Sequence, residues 1–165
     1  MFKIYVFIDS QNLNMAIQDL GWKLDFKKFI KFLKDKYKVE KVFLFIGYVE
    51  KYEKMYESLR NYGYEIIHKP TLQYSNGTIK GNCDAELVLQ CMLEYKNFNQ
   101  AIIVSGDGDF HCLLKYLKEQ GKLFKLGIPD KNDYSALLKE FAEHMFFVSQ
   151  QEKKLQLKSN TKREA

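Results

Sequence analysis

Ala101-Ile102-Ile103-Val104-Ser105-Gly106-Asp107-Gly108-Asp109-Phe110 joins four consecutive apolar residues to two carboxylates separated by one glycine. An unbroken apolar run of this kind suits a strand buried on both faces, as in a parallel sheet, rather than a strand with one wet face. The Ser-Gly-Asp-Gly-Asp stretch then falls at the strand's carboxyl end, where it concentrates negative charge that no obvious structural duty requires. It reads as a metal site. Two more acidic residues stand in comparable settings: Asp9 closes the apolar run Ile4 to Ile8, and Asp84 precedes a helical pattern carried by Leu87, Val88, Cys91 and Met92.

Apolar runs of the same type recur at Val42 to Val49, Tyr64 to Ile67, Leu123 to Ile128 and Met145 to Val148. Between them lie helical patterns. Phe26, Phe29, Ile30, Leu33 and Tyr37 share one face, with Asp25 as N-cap and Lys27, Lys28, Lys31 and Lys34 turned to water. Leu113, Leu114 and Leu117 mark another helix, and Leu137, Leu138 and Phe141 a further one. This alternation predicts an α/β fold, with a mostly parallel central sheet and helices on both faces. In such folds ligands gather at the carboxyl ends of the strands, where strand order reverses. If the first and fourth strands are neighbours, Asp9 and Asp107 converge there. Asp84 opens a helix leading into the fourth strand, so it reaches the same edge.

One segment breaks the alternation. Asn76-Gly77 is a type I′ turn signal, and Leu72, Tyr74, Thr78 and Lys80 flank it as a small hairpin beside the acidic pocket, or as part of an irregular loop. The expected organisation is one domain over residues 1–149, followed over 150–165 by a basic tail, either a frayed helix or a flexible segment. Of the formal net charge of +5, +3 falls in that tail.

At 165 residues, 46% apolar and 28% charged, the chain suits one soluble globular domain with an ordinary core. No apolar run approaches the roughly 18 residues needed to cross a bilayer, and the N-terminus turns acidic at Asp9, too soon for a signal peptide. A cytoplasmic location without membrane association follows as the expectation. Cys83, Cys91 and Cys112 lack zinc or disulfide spacing and read as reduced, partly buried thiols.

Carboxylates gathered in one pocket repel each other, so they persist there when cations neutralise them or when some stay protonated. Mg²⁺ and Mn²⁺ prefer hard oxygen ligands and commonly bridge protein carboxylates to substrate phosphates. Taken singly, each residue has an ordinary duty: Asp84 as an N-cap, Asp107-Gly108 as a turn, Asp109 as a cap of the following helix, Asp9 as a turn anchor. Taken together, four acidic residues at one sheet edge favour a site. An EF-hand fails, because counting from Asp107 the sixth and twelfth positions are Cys112 and Lys118. The first strand ends Asp9-Ser10-Gln11-Asn12, without the D-x-D of aspartyl-nucleophile phosphatases, and no phosphate-cradling glycine fingerprint occurs.

Phe7-Ile8-Asp9-Ser10-Gln11-Asn12-Leu13, then Lys80-Gly81-Asn82-Cys83-Asp84 leading into a helix, then Ser105-Gly106-Asp107-Gly108-Asp109-Phe110, resembles the NYN domain family of PIN-like nucleases, in its bacterial LabA-like branch. The resemblance spans residues 3 to 149. It implies a PIN-like, Rossmann-like three-layer α/β/α sandwich and metal-dependent cleavage of RNA, with Asp9, Asp84, Asp107 and Asp109 as the catalytic and metal-binding acids. One or two Mg²⁺ or Mn²⁺ ions are the implied cofactor. Asn12 matches the family's asparagine after the first strand and would hold Asp9 or a metal-bound water through its amide. Ser105 would orient a carboxylate or phosphate.

Lys80, just ahead of Asp84, would hold a substrate phosphate or balance the carboxylates, or else is a solvated loop lysine. Tyr48, Tyr52 and Tyr74 are candidates for stacking on unpaired bases. His68, His111 and His144 have no nucleophilic partner at meaningful spacing. The expected partner is single-stranded RNA, and a homodimer is compatible with the sequence. The rival expectation is a catalytically weak or inactive PIN-like module that binds RNA or a protein partner in regulation. DNA hydrolysis is a third option that the same metal chemistry permits.

Overall fold

Six residues, Ile4–Asp9, form strand β1, and all six are buried. The computed structural model describes residues 1–73, 79–80 and 82–158, with the backbone alone considered at 72–73 and 79–80. After β1 come helices α1 (Ser10–Asp19) and α2 (Phe26–Tyr37), then β2 (Lys41–Tyr48), α3 (Glu53–Tyr62) and β3 (Tyr64–Pro70). Two short strands follow, β4 (Leu72–Gln73) and β5 (Ile79–Lys80), then α4 (Asp84–Leu93), β6 (Gln100–Val104), α5 (His111–Glu119), β7 (Leu123–Ile128), β8 (Met145–Phe147) and α6 (Glu152–Leu155).

The main sheet runs β3-β2-β1-β6-β7-β8, and every pair in it is parallel. β1 and β6 are therefore central neighbours, with Ile8 opposite Val104. The chain winds from β1 outward to β3 and then from β6 outward to β8, so strand order reverses between β1 and β6. That is where an open α/β sheet leaves a crevice at its carboxyl edge.

Alternation along β1 sorts the core into two layers. Val6 and Ile8 pack with Leu13 and Ile17 of α1, with Phe29 and Leu33 of α2, and with Tyr56 and Leu59 of α3. Tyr5 and Phe7 turn the other way, onto Leu87 and Cys91 of α4, Leu113, Leu114 and Leu117 of α5, and Phe141. Phe7 stacks on Phe43 at 5.2 Å between ring centres. Helices thus cover both faces, which is the expected α/β/α sandwich in its PIN-like form, and all six expected strands are present.

Helix α2 begins at its expected cap, with the Asp25 side chain accepting from the Lys27 and Lys28 N–H groups. The pattern at Leu137, Leu138 and Phe141 winds as a 3₁₀ helix, Ala136–His144, with a kink at Phe141, rather than as an α-helix. Helices α1 and α3 have no counterpart among the expected helices. β4 and β5 pair antiparallel, Leu72 with Lys80 and Gln73 with Ile79, as a hairpin requires. The expected turn at Asn76-Gly77, with Tyr74 and Thr78, lies outside the described residues.

Instead of leaving the fold at residue 150, the chain stays packed through Leu157. Leu155 is fully buried. Asp25 N–H donates to Leu155 O and Leu157 N–H to Lys23 O, each at 2.8 Å, and Lys28 Nζ donates to Gln156 O. Burial of one leucine and a short backbone pairing hold this stretch, whose helix α6 is the frayed-helix alternative for the basic tail rather than the flexible one. Residues 159–165 lie outside the described part. No helix among the described residues is long and apolar enough to cross a membrane.

Candidate metal centre

Three elements deliver three carboxylates to the crevice beside β1 and β6. Asp9 is the last residue of β1 and the N-cap of α1, and its Oδ1 accepts from Asn12 N–H at 3.3 Å. Asp107 follows β6 and caps the 3₁₀ turn Gly108–Phe110, accepting from Asp109 N–H at 2.9 Å. Asp84 is the first residue of α4, one position inside the cap, which is Cys83. One carboxylate oxygen from each of Asp9, Asp84 and Asp107 lies within 4.8 Å of the other two.

A chain of hydrogen bonds fixes this geometry. Ser105, itself buried, donates its hydroxyl to Asp9 Oδ2 and accepts from Asp107 N–H, both at 3.0 Å. One hydroxyl therefore sets the spacing of two of the three acids. Asn12 Oδ1 accepts from Gly106 N–H at 2.8 Å, so its side chain ties the β6 loop to α1, while its backbone N–H, not its amide, is what holds Asp9. Asn82 clasps Asp84 twice: its Oδ1 accepts from Asp84 N–H at 2.8 Å, and its Nδ2 donates to Asp84 Oδ2 at 3.3 Å.

The electrostatics carry the cost of this gathering. Burial pushes the Asp9 carboxyl up to about 6, against the opposing hydrogen bonds from Asn12 and Ser105, and the Asp84 and Asp107 charges push it further in the same direction. Asp84 is raised too, first by burial, with the Asn82 amide opposing and the charges of Asp107 and Asp109 adding to the rise. A pocket in which carboxylates resist ionisation is one that a divalent cation would relieve.

The donor set fits a hard cation. All three ligand atoms are carboxylate oxygens, and no imidazole joins them among the described residues. Burial holds the nearby Cys83 thiol up to about 11, so it is not a competing soft thiolate. The depression over the carboxylates has a volume of about 180 Å³ and is lined also by Gln11, Asn12, Met15 and Asn82. That is room for water and a phosphate beside an ion.

The remaining expected residues are placed as follows. Asp109 is exposed, inside the 3₁₀ turn rather than capping it, and its carboxyl meets that of Asp84 instead of completing the group of three. Lys80 belongs to β5, and its side chain lies outside the described residues. Tyr48 is held through its hydroxyl by Glu53 on the α3 side of the sheet, and Tyr52 is exposed beneath the Lys51 ammonium. Tyr74 lies outside the described residues. His111 pairs with Glu140, His68 with the Ile46 carbonyl and His144 with the Phe124 carbonyl, all apart from the three acids.

Sequence reasoning assigned no role to Asn82, Gln11 or Met15. Asn82 had a readable signal, a short amide two residues ahead of a helix-opening acid. Gln11 and Met15 carry no such signal; helix α1 brings them to the depression. Gly108 has a steric reason visible only in three dimensions: a methyl there would lie 3.0 Å from Ser135 Cβ and 3.2 Å from Leu137, and closer still to the Ser135 hydroxyl.

Comparison with known proteins agrees with this geometry. The NYN domain family model matches residues 3–149. The Low amplitude and bright protein LabA of Synechococcus elongatus is 24% identical over 126 residues, covering 70% of this chain and 68% of the relative. A solved structure from Vibrio parahaemolyticus, of a protein of unknown function, superposes with a TM-score of 0.76 at 22% identity, covering 94% of this chain and 96% of that one. That likeness concerns the fold. The family match over nearly the whole chain, with its acids converging at the sheet's switch point, establishes that this chain belongs to the NYN domain family of PIN-like nucleases.

Proposed function

We propose that the chain is a divalent-metal-dependent endoribonuclease of the cytoplasm, cutting single-stranded RNA. The observation that carries this reading is the meeting of Asp9, Asp84 and Asp107 oxygens within 4.8 Å, at a site where Asp9 is buried and resists ionisation. A structural acid gains nothing from such company. A pocket built to receive a cation does.

Asp9, Asp84 and Asp107 would hold Mg²⁺ or Mn²⁺, one ion or two. Such an ion, when bound, lowers the pKa of water and offsets charge building on a phosphodiester. The protein's own part is positioning. Ser105 keeps Asp9 and Asp107 in register, and Asn82 keeps Asp84 turned inward. Asp109, exposed beside Asp84, joins the ligands or orients the attacking water and accepts its proton at a carboxylate oxygen. Water oxygen bonds to phosphorus as the bond from phosphorus to O3′ breaks, and O3′ leaves as an alkoxide that takes a proton from solvent water, giving 3′-hydroxyl and 5′-phosphate ends.

Incubating a synthetic RNA with the protein and Mg²⁺ or Mn²⁺ tests this directly. Cleavage should vanish on chelation and fall by at least about a hundredfold in Asp107→Asn, the scale of losing one charge-stabilising group. Activity that survives chelation, or an undiminished Asp107→Asn variant, would overturn the mechanism. Tight RNA binding without turnover, across several RNAs and metals, would instead identify a binding module.

A further inference from the structure

The acidic depression is walled unequally. On the β7 side, residues 129–135 close over the Ser105–Gly108 loop: Ser135 N–H donates to Gly106 O at 3.1 Å, and a methyl on Gly106 would meet Tyr134 Cβ at 3.3 Å and Pro129 at 3.7 Å. That loop carries Asp130 and Asp133 against one lysine, Lys131. A polyanion leaving the site in that direction meets a steric wall with a net negative charge.

The β3 side is built differently. Phe7, Phe45 and Ile67 share the sheet face covered by α4, and strand alternation puts Asp9 and Lys69 on that same face. Asp9 pairs with Phe45, and Phe45 with Ile67, which sets Lys69 two strands across and two residues further on. At the usual strand spacing its Cα lies about 12 Å from that of Asp9. The residue paired with Lys69 on the intervening strand is Gly47, which places no side chain between them.

Lys69 is half-buried, and its Nζ donates to the Asn82 carbonyl at 2.8 Å. Asn82 lines the depression and clasps Asp84, so the ammonium is held against the residue that positions one of the acids. Among the described residues it makes no ion pair. An ammonium has three donors, and the Asn82 carbonyl takes one. Among the described residues, two remain for an anion.

From this arrangement we infer that Lys69 is a substrate-phosphate ligand, and that the RNA strand leaves the carboxylates across β2 and β3 rather than over residues 129–135. The inference rests on the nuclease reading above. Lys69 neither holds the cation nor moves a proton; it grips the phosphate of a nucleotide flanking the cut. Its charge is therefore felt in substrate binding and in the salt dependence of that binding.

Steady-state cleavage of a short labelled RNA with Mg²⁺, over a series of KCl concentrations, tests this with Lys69→Met and Lys69→Arg. Lys69→Met should raise KM about tenfold at low salt with kcat within about twofold, the expected loss of one charged hydrogen bond. It should also flatten the logarithmic dependence of KM on KCl by about 0.7, the share of one phosphate contact on a single strand. Lys69→Arg should retain both properties. Mn²⁺ affinity, read by electron paramagnetic resonance without RNA, should match wild type in both variants. A fall in kcat or in Mn²⁺ affinity, or an unchanged salt slope, would show that Lys69 acts by positioning Asp84 and would overturn the inference. An unchanged KM and salt slope in Lys69→Met remove the Lys69 role alone, whereas a wild-type protein that neither binds nor cuts RNA removes the nuclease reading with it.

Discussion

Asp9 concentrates the conflict between stability and function in one side chain. Its carboxyl is pushed up to about 6 from an ordinary value of 3.8, chiefly by burial. Between those values the folded protein holds a proton that the unfolded chain has released. This group therefore favours folding most at and below about pH 4, and that contribution is lost as pH rises through about 6. Above that, an ionised Asp9 costs the metal-free fold about 3 kcal/mol, the free energy of moving its carboxyl from 3.8 to about 6. Asn keeps the helix-capping oxygen and lacks the charge. Asp9→Asn should accordingly be more stable than wild type by up to about 3 kcal/mol at about pH 7.5 in chelator, and equal to it near about pH 4. Urea denaturation at both pH values measures the gap, and equal stability at the higher pH would refute the account. Asp84, whose shift has the same sign, adds less because water reaches it more easily.

The loops at the carboxyl edge turn these residues into a site, and glycine decides how closely they pack. The 3₁₀ turn after Asp107 lies so near Ser135 that Gly108→Ala forces either that turn or the segment from 129 to 135 to move. Crowding of this kind costs about 1–3 kcal/mol, and here it displaces Asp107 from its neighbours. Gly108→Ala should therefore lower both the melting temperature and Mn²⁺ affinity, and adding Ser135→Gly should restore part of each. A double-mutant cycle with purely additive effects would show that the two residues do not press on one another. The same scale explains what was legible in the sequence. The six strands stand out because each is an apolar run, and Asp9 and Asp107 stand out because they close two of those runs, while Asp84 stands out by opening a helix. Helices α1 and α3 do not: each is ten residues long and buries, of its large apolar residues, only Leu13 with Ile17 and Tyr56 with Leu59. The Asn12 tether to Gly106 and the approach of Lys69 to Asn82 join residues 94 and 13 positions apart, so neither leaves a local signal.

Across the whole molecule, the two core layers divide the work. The layer under α4 and α5 carries the elements that present Asp84 and Asp107, while the layer under α1, α2 and α3 is closed off by the chain's later residues. Leu155 is fully buried in that second layer, and its carbonyl accepts from Asp25, the residue that caps α2. Fixing α6 against α2 thus ties the end of the described chain to the first crossover of the sheet. Because Leu155 lies on the face opposite α4, its loss should weaken the fold without rearranging the carboxylates. Leu155→Ala should destabilise the protein by about 2–4 kcal/mol, the usual cost of a cavity left by a buried leucine. The urea midpoint should fall accordingly, while the Mn²⁺ affinity of the folded fraction stays at the wild-type value. An unchanged midpoint would mean that the segment after residue 149 contributes no stability. A loss of Mn²⁺ affinity in step with the midpoint would mean that the two layers are coupled through β1, whose residues face both of them and whose last residue is Asp9.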